Sequence, residues 1–312
     1  MLFRSVSQSR YAEERLRVYK ERQEHKDEQY IKLPLEFKEV QADMRGFKRG
    51  SDLWLILAKS SAGKSQVLSC FAASCANQGY VTGFISPEMD TMDINIRMDT
   101  YNGKFSNSVI EDGVPVKGYE EYLKSLIGKP DMLYTSDIND FDGEITVQKI
   151  KTFCKSKKLQ ILFIDGFVYV KSDHYSKGMT GTEKQGQVAQ ELMALSTELG
   201  IPIVCVIQAR RRDSDSKNKE SSEESISDSE SVFGSYMVSQ VATRVLPINK
   251  SKDSKAITLY SGKNRKGVDS KKYIYLYDYD HLTFTFIPNL EDASEKEKED
   301  AVKESEEFKS IF

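Results

Sequence analysis

The sequence predicts an α/β fold in which helices flank a mostly parallel central sheet. The first observation is an apolar run at 53–57 that passes abruptly into small residues, followed by a helical pattern from Lys64 to Gln78. The second is the recurrence of short apolar runs that alternate with helical patterns and end beside polar residues, at 80–86, 159–165 and 201–207. Strands that alternate with helices along a chain are typical of parallel sheets.

The turn after the first strand has the composition of a phosphate-binding loop, with Ala58 where the usual pattern begins with glycine. Backbone N–H groups at a helix N-terminus cradle phosphate, and Gly63 allows close approach of the backbone. Lys64 supplies a charge to the β- and γ-phosphates, and the Ser65 hydroxyl is placed for Mg²⁺. A chance turn lacks this strand-to-helix context, so we expect ATP and Mg²⁺ to bind here. The predicted nucleotide-binding residues are Ala58, Lys59, Ser60, Ser61, Ala62, Gly63, Lys64, Ser65 and Gln66.

Three polar residues follow other predicted strands, at the sheet edge where ligands of such folds bind. Glu88 is placed either to polarise a water against the γ-phosphate or to serve as an ordinary strand-to-helix cap, and its position alone does not separate the two. Asp165 ends an apolar strand and is predicted to hold Mg²⁺ together with Ser65, usually through water. Gln208 ends the strand at 201–207, where a neutral amide can report the state of the γ-phosphate.

Two segments are predicted to contact a phosphodiester backbone. A basic loop at 171–187 contains Lys171, Lys177 and Lys184, with Tyr175 available for stacking on a base. An ordinary solvated loop is the alternative. The second set is Arg210, Arg211 and Arg212, at the base of a segment rich in serine and acidic residues at 213–231. That segment cannot bury enough apolar surface to order itself, and its acidity disfavours contact with nucleic acid.

The remaining elements complete the predicted order. Further strands and helices are expected at 90–98, 119–127, 133–135, 146–156, 188–199, 232–240, 243–248 and 256–261. A glycine-bounded basic turn at 262–267 precedes a terminal hairpin formed by 273–279 and 282–287. The charged stretch at 8–29 is either a frayed arm or a helix that packs on a neighbouring subunit. We therefore expect three regions: a linker-type helix (1–29), an ATPase domain (30–290) and a charged tail (291–312).

Composition limits the possible partners. The 312 residues carry a net charge of −3, so nucleic-acid contacts must come from local clusters rather than from a basic field over the whole protein. The four cysteines form no CxxC pair and lie in apolar stretches, which is typical of reduced core residues. No stretch reaches the ~20 apolar residues that span a bilayer, and no signal peptide is evident. These features predict a cytoplasmic protein with no membrane association.

Several motifs in one order resemble the motor domain of DnaB-type hexameric replicative helicases, over about residues 30–287. They are the alanine-initiated phosphate loop, Ser86-Pro87-Glu88-Met89, Phe163-Ile164-Asp165, strand-final Gln208 and Lys263-Asn264-Arg265-Lys266-Gly267. The resemblance implies a RecA-like ATPase fold and a DNA helicase that moves 5′–3′ on single-stranded DNA. It also implies that Glu88 is the catalytic carboxylate and Gln208 the γ-phosphate sensor. Arg265, with Lys263, would reach the neighbouring subunit's nucleotide as an arginine finger.

The same resemblance implies a homo-oligomer, normally a hexamer, with the N-terminal helix docked on the next subunit and with primase or a loader as partners. The chain departs from the family pattern at Pro87, where leucine is expected, and at Gly166-Phe167, which follow the strand-final aspartate. We also expect the family's globular N-terminal domain to be absent, which would suit a phage or mobile-element version. Two other functions stay open: a filament-forming recombinase or recombination mediator, and a loader or switch that hydrolyses ATP without acting as a motor.

Overall fold

The structure, a computed structural model, describes residues 11–24, 26–175, 178–208, 236–250, 255–265, 267 and 271–288. Its helices are α1 (Ala12–Glu24), α2 (Lys38–Met44), α3 (Lys64–Asn77), α4 (Thr91–Gly103), α5 (Asn107–Glu111), α6 (Tyr119–Leu126), α7 (Val147–Lys157), α8 (Gly181–Leu199) and α9 (Tyr236–Val241). Its strands are β1 (Tyr30–Ile31), β2 (Phe47–Lys48), β3 (Asp52–Ala58), β4 (Thr82–Ile85), β5 (Leu133–Ser136), β6 (Ile161–Ile164), β7 (Pro202–Gln208), β8 (Arg244–Lys250), β9 (Ala256–Tyr260), β10 (Lys263–Asn264), β11 (Lys272–Asp278) and β12 (Thr283–Phe286).

One large sheet organises the chain, with strand order β12-β11-β9-β8-β3-β7-β6-β4-β5. The six strands from β8 to β5 run parallel to their neighbours, whereas β9, β11 and β12 are added antiparallel beyond β8. The short strand β10 pairs with the beginning of β8. This arrangement confirms the predicted parallel sheet and the closing hairpin.

Strand β3 lies at the centre of the sheet and has apolar side chains on both faces. Trp54 and Ile56 belong to the core beneath α3, whereas Leu53, Leu55 and Leu57 belong to the core beneath α7 and α8. Because strand side chains alternate between faces, a strand covered on both sides needs a continuous apolar run. The run that identifies β3 in the sequence is therefore a direct consequence of burial on both faces.

The segment before β3 belongs to the core and is more than a short lead-in. Phe37 packs edge-on against Phe71 of α3 with ring centroids 5.2 Å apart, and Phe47 lies 4.9 Å from Trp54. Phe47 is in β2, which pairs with β1. These aromatic contacts attach residues 30–48 to the face of the sheet that carries α3.

Several predicted boundaries were wrong. Helix α8 begins at Gly181 rather than at 188, because Thr180 and Glu183 form a capping box that precedes the apolar stripe. The predicted loop at 171–187 therefore ends at Thr180. Helix α4 extends to Gly103, beyond the predicted 98. Part of the predicted basic turn at 262–267 is strand, since Lys263 pairs with Val245 and Asn264 with Arg244.

Helix α1 is exposed, as the sequence predicts. None of its described side chains is buried, and Arg17 bonds to Glu14 and Glu21 one turn away on either side. The predicted tail at 291–312 and the predicted mobile segment at 213–231 lie outside the described residues. The three-region division of the chain stays a prediction. Across the described helices, none combines the length and the apolar character needed to span a bilayer.

A buried ion pair joins the beginnings of β3 and β8. Arg244 donates to Asp52, and both side chains are 2% exposed. The Asp52 carboxylate also accepts from the Trp54 indole at 2.8 Å and from the Lys48 amide at 2.7 Å. Removing one member of such a pair leaves the other charge buried without compensation, which costs about 3–5 kcal/mol.

We predict that Arg244→Met lowers the free energy of unfolding, measured in urea, by about 3–5 kcal/mol. The control is Glu120→Gln, which breaks an exposed pair with Lys124 on α6 and should change stability by less than about 1 kcal/mol. Equal effects of the two substitutions would contradict a stabilising role for the Asp52–Arg244 pair.

Candidate nucleotide-binding and catalytic site

The C-terminal ends of four parallel strands bring the predicted functional residues to one edge of the sheet. Register pairs Ala58 of β3 with Gln208 of β7, and Ile164 of β6 with both Cys205 of β7 and Ile85 of β4. The phosphate loop, Gln208, Asp165 and Glu88 thus follow adjacent strands in that order. We call this group the strand-end site.

The phosphate loop has the backbone conformation that its residue types allow. Gly63 has φ of +85° and Ser61 has φ of +63°, and helix α3 begins directly at Lys64. Glycine reaches positive φ at little cost, whereas Ser61 adopts it at some conformational cost. The first turn of α3 contains no acidic residue. The N-terminal amides of this helix are therefore available to an anion without competition from a carboxylate.

Ser65 and Asp165 form the donor set expected for Mg²⁺. The Ser65 hydroxyl donates to the Asp165 carboxylate at 3.0 Å. Burial raises the pKa of Asp165, and the Ser65 hydrogen bond with the charges of Lys64 and Arg97 acts in the opposite direction. A divalent cation would compensate the buried carboxylate.

The described residues contain no cluster of three His, Cys, Asp or Glu side chains able to hold a metal. One hydroxyl and one carboxylate suit Mg²⁺ in particular, because this ion is usually held by one or two protein ligands, substrate phosphates and water. The residues at this position therefore fit the predicted ion.

Glu88 is not the cap of the helix that follows it. The N-cap of α4 is Asp90, whose carboxylate accepts from the Asp93 amide at 2.9 Å. The hydroxyl of Ser86 accepts from the Met89 amide at 3.2 Å and shapes the turn between strand and helix. Glu88 is exposed on this turn beside the Asp165 strand. The capping alternative is thereby excluded, and the Glu88 carboxylate is left facing solvent at the strand-end site.

Gln208 is exposed, whereas the preceding six residues of β7 are buried. Its pairing with Ala58 sets it directly beside the start of the phosphate loop. The chain that follows it, from 209 to 235, lies outside the described residues.

Lys263 and Arg265 lie at the other end of the parallel strands, beside the beginnings of β8 and β3. The Arg265 amide donates to Thr243 O, and the Thr243 amide donates to Leu53 O near the beginning of β3. Ala58 is five residues further along that strand, or roughly 16 Å at about 3.3 Å per residue. Arg265 is therefore remote from the phosphate loop of its own chain.

Both basic side chains are held by the C-terminus of α9. Lys263 Nζ donates to Ser239 O at 2.6 Å and to Gln240 O at 2.9 Å, and the Arg265 guanidinium also donates to Gln240 O. Cations at the last carbonyls of a helix are stabilised by its dipole. Burial, with the nearby charge of Arg265, lowers the pKa of Lys263.

With this geometry in place, comparison with known proteins identifies the family. The sequence model of the DnaB-like helicase C terminal domain family matches residues 33–283. The chain belongs to this family.

The DnaB-like assignment agrees with individual relatives. A probable plasmid replicative DNA helicase of Chlamydia muridarum (strain MoPn / Nigg) is 26% identical over 249 residues, which are 78% of this chain and 52% of that protein. The replicative DNA helicase DnaB of Mycoplasma genitalium (strain ATCC 33530 / DSM 19775 / NCTC 10195 / G37) is 25% identical over 268 residues, 79% of this chain and 55% of that protein. The chain thus spans about half the length of the curated relatives it matches.

Solved structures confirm the RecA-like fold of this DnaB-like domain. A solved ATPase domain superposes with a TM-score of 0.72 at 17% identity, covering 89% of this chain and 98% of that one. A DnaB-like replicative helicase, solved in a study of its interactions with primase, has a TM-score of 0.69 at 17% identity. The match covers 87% of this chain and 66% of that one. At these identities the likeness establishes the fold.

Three residues of the DnaB-like domain near the strand-end site were missed by sequence reasoning. Arg97 of α4 donates to the Met89 thioether at 3.0 Å, and its charge acts on Asp165. Interaction with the nearby Glu88 carboxylate raises the pKa of Tyr169. Tyr277 of β11 lies against Gly63, where an added Cβ would be 3.5 Å from its ring. Sequence spacing did not mark Arg97, which lies nine residues after Glu88, and the two tyrosines reach the site only through tertiary contacts.

Only two of the residues predicted to bind DNA lie within the described part of the chain, and each contacts a neighbouring side chain. Lys171 pairs with Glu144 at 2.9 Å, and Lys184 lies in the first turn of α8 with its amine 5.3 Å from the centroid of the Tyr175 ring. Lys177, Arg210, Arg211 and Arg212 fall outside the described residues. The DNA-binding assignment of all six stays a prediction.

Tyr277 provides a test of the packing beneath the phosphate loop. Its side chain is 5% exposed, and among the described residues its buried hydroxyl has no hydrogen-bond partner. Tyr273, on the same strand and similarly buried, donates to Asp43 at 2.6 Å. An unpaired buried hydroxyl destabilises a fold, whereas a paired one contributes about 1 kcal/mol.

We predict that Tyr277→Phe raises the free energy of unfolding of the nucleotide-free protein by about 1 kcal/mol, and that Tyr273→Phe lowers it by about 1 kcal/mol. Urea denaturation of both variants measures the difference. A loss of stability in Tyr277→Phe as large as that in Tyr273→Phe would show that the Tyr277 hydroxyl has a partner in the free protein.

Proposed function

We propose that this chain is the ATP-hydrolysing motor domain of a replicative DNA helicase that moves 5′–3′ on single-stranded DNA, with ATP cleaved between adjacent copies in a ring of six. The observation that carries the proposal is the separation of two sets of residues. The strand-end site gathers the groups that bind and cleave a triphosphate, while Lys263 and Arg265 lie at the far edge of the same sheet. A second copy is needed to bring the two sets together.

In this mechanism the phosphate loop binds the triphosphate. The amides at the start of α3 hold the phosphates, and Lys64 adds a positive charge between the β- and γ-phosphates. Ser65 and Asp165 would hold Mg²⁺, whose charge offsets the charge that develops on the transferring phosphoryl. The 3.0 Å contact between the Ser65 hydroxyl and the Asp165 carboxylate supports their assignment as the residues that would hold Mg²⁺.

Glu88 acts as the general base. A water oxygen forms a bond to the γ-phosphorus as the bond from that phosphorus to the β–γ bridging oxygen breaks, which releases ADP. The water proton passes to the Glu88 carboxylate. Gln208, beside Ala58, senses whether the γ-phosphate is present. Arg265 of an adjacent copy, assisted by Lys263, stabilises the charge on the transferring phosphoryl, an effect worth about 10³–10⁵ in rate in related nucleotide hydrolases.

The proposal extends to partners. Single-stranded DNA would contact Lys171, Lys177, Lys184 and the arginines at 210–212 through its phosphates. Helix α1 would dock on the next copy, and its exposed side chains are compatible with such a contact. A related helicase is described with primase, so primase or a loader is the proposed protein partner.

All four cysteines are buried and free of disulfides, which supports the cytoplasm as the compartment.

We predict that Lys64→Ala weakens binding of a fluorescent ATP analogue by about 10²-fold, because hydrogen bonds to charged groups contribute up to about 3 kcal/mol. Fluorescence titration measures the change. The control Lys38→Ala removes an exposed lysine of α2 and should leave the affinity unchanged. Unaltered binding in Lys64→Ala would mean that the nucleotide is held elsewhere.

A second prediction concerns the shared site. Arg265→Ala should retain nucleotide binding and lose about 10³-fold in turnover, and Glu88→Gln should also be nearly inactive. Mixing the two variants should restore activity, because an interface with Glu88 from one copy and Arg265 from the next is complete. Arg49→Ala, an exposed arginine of the same sheet edge, is the matched control. Absence of rescue in demonstrably mixed oligomers would overturn the proposal that the site is shared.

The helicase activity itself is tested on a forked DNA duplex with ATP. We expect strand displacement that requires a free 5′ single strand and is abolished by Glu88→Gln. ATP hydrolysis that DNA stimulates, without strand displacement on any fork, would favour a recombinase. A hydrolysis rate that DNA does not change would favour a switch.

A further inference from the structure

Asn264, which lies between the two basic residues of β10 and its following turn, is buried although its neighbours are not. Its side chain is 8% exposed, whereas Arg265 is exposed. Successive side chains of a strand point to opposite faces, so Asn264 points away from the α9 carbonyls that hold Lys263 and Arg265. The proposed chemistry uses the two basic side chains and leaves the amide between them without a role.

The Asn264 amide joins two parts of the chain that other contacts already fix. Its Nδ2 donates to Asp43 O at 3.1 Å, and its Oδ1 accepts from Arg244 Nε at 3.4 Å. Asp43 is in the last turn of α2, where carbonyls have no partner within the helix. Arg244 is held by its buried ion pair with Asp52. The amide thus acts as donor and acceptor at once, which no apolar side chain can do.

Gly267 allows the turn after β10 to approach the same carbonyl closely. A Cβ added to Gly267 would overlap Asp43 O and the side-chain amide of Asn264. Asp43 O is a backbone atom of a helix and cannot move aside as the end of a flexible side chain can. A larger residue at 267 would therefore push the turn that carries Arg265 away from α2.

The Asp43 carboxylate holds the other end of the segment that connects β10 with β11. It accepts from the Tyr273 hydroxyl at 2.6 Å and pairs with Lys271 Nζ at 3.2 Å. The Asp43 side chain is 15% exposed, so solvent screens this pair less than one at the open surface. One residue of α2 therefore contacts the chain just before Arg265 through its carbonyl and the chain after it through its carboxylate.

We propose that Asn264 is a positioning residue for Arg265: by joining β10 to the end of α2 and to Arg244, its amide sets the place and direction from which the Arg265 side chain extends toward an adjacent copy. This inference rests on the proposed role of Arg265 in a shared site. A long, exposed side chain reaches a fixed point only when its backbone is held firmly, and a misplacement of ~1 Å can cost about 10²-fold in rate.

The test uses two substitutions that leave Arg265 in place. Asn264→Ala removes the amide, and Gly267→Ala keeps every side chain but forces the turn away from Asp43. We expect each to lower kcat for ATP hydrolysis by about 10- to 100-fold, with the affinity for a fluorescent ATP analogue unchanged. In the Arg265→Ala background neither should cause a further loss, because both act through the guanidinium.

The matched control is Asn102→Ala. Asn102 is an exposed asparagine of α4 whose amide also joins two neighbours, since it accepts from Asn77 at 2.9 Å and donates to Tyr122 at 3.3 Å. This substitution should alter neither kcat nor the affinity for the analogue.

Mixing experiments separate positioning from a general loss of folding. Asn264→Ala copies mixed with Glu88→Gln copies should exceed the mean turnover of the two separate samples, because Glu88 of one copy then meets an intact Asn264 and Arg265 of the next. Mixed with Arg265→Ala copies, they should only match the mean, since neither variant supplies a correctly placed Arg265. Gly267→Ala should give the same pattern. A variant that merely fails to fold or to assemble would be rescued by neither.

The outcomes distinguish the two proposals. The positioning role is wrong, and the shared site stands, if Arg265→Ala and Glu88→Gln complement each other but Asn264→Ala or Gly267→Ala keeps a normal kcat. The same conclusion follows if Glu88→Gln rescues neither variant, or if Arg265→Ala rescues either of them. If Arg265→Ala and Glu88→Gln fail to complement each other in mixed oligomers, the shared site fails and the positioning role fails with it.

Discussion

The parallel pairing of β3, β7, β6 and β4 is the constraint on which the strand-end site depends. Because these strands point the same way and share one register, each must release its next residue at the same edge of the sheet. The phosphate loop, Gln208, Asp165 and Glu88 come from distant parts of the chain and meet for this reason. A slip of β3 by one residue would move Trp54 and Ile56 into the core that is packed around Leu53, Leu55 and Leu57, and the close packing of both cores opposes it.

The antiparallel part of the sheet places functional residues at the other end of the parallel strands, away from the strand-end site. Strand β10 pairs with the beginning of β8, and so it carries Lys263 and Arg265 to the edge remote from the phosphate loop. The carbonyls of α9 hold both cations there. A buried ion pair, Asp52–Arg244, lies at the same edge and ties β8 to β3. The molecule therefore has two functional edges, and the proposed chemistry requires one edge from each of two copies.

Much of this arrangement was predictable, because the C-terminal ends of all strands of a parallel sheet meet on one side of it. A buried strand shows itself by a continuous apolar run, and the residue at its end then has a known place in a parallel sheet. The start of α8 was missed because polar residues of a capping box, rather than apolar periodicity, begin that helix. Whether Glu88 caps α4 depended on which acid accepts the Asp93 amide, and the structure shows that Asp90 does. Tyr169 and Tyr277 could not be foreseen, because turns and strand order that the sequence does not specify bring them to the site.

The central claim is that ATP bound at the strand-end site of one copy is cleaved only with the help of another copy. The most direct test measures ATP turnover per chain over a range of protein concentrations, with the molecular mass determined by sedimentation in the same samples. We expect turnover per chain to be near zero where the protein is monomeric and to rise in step with assembly. Full turnover in a sample that sedimentation shows to be monomeric would contradict the account.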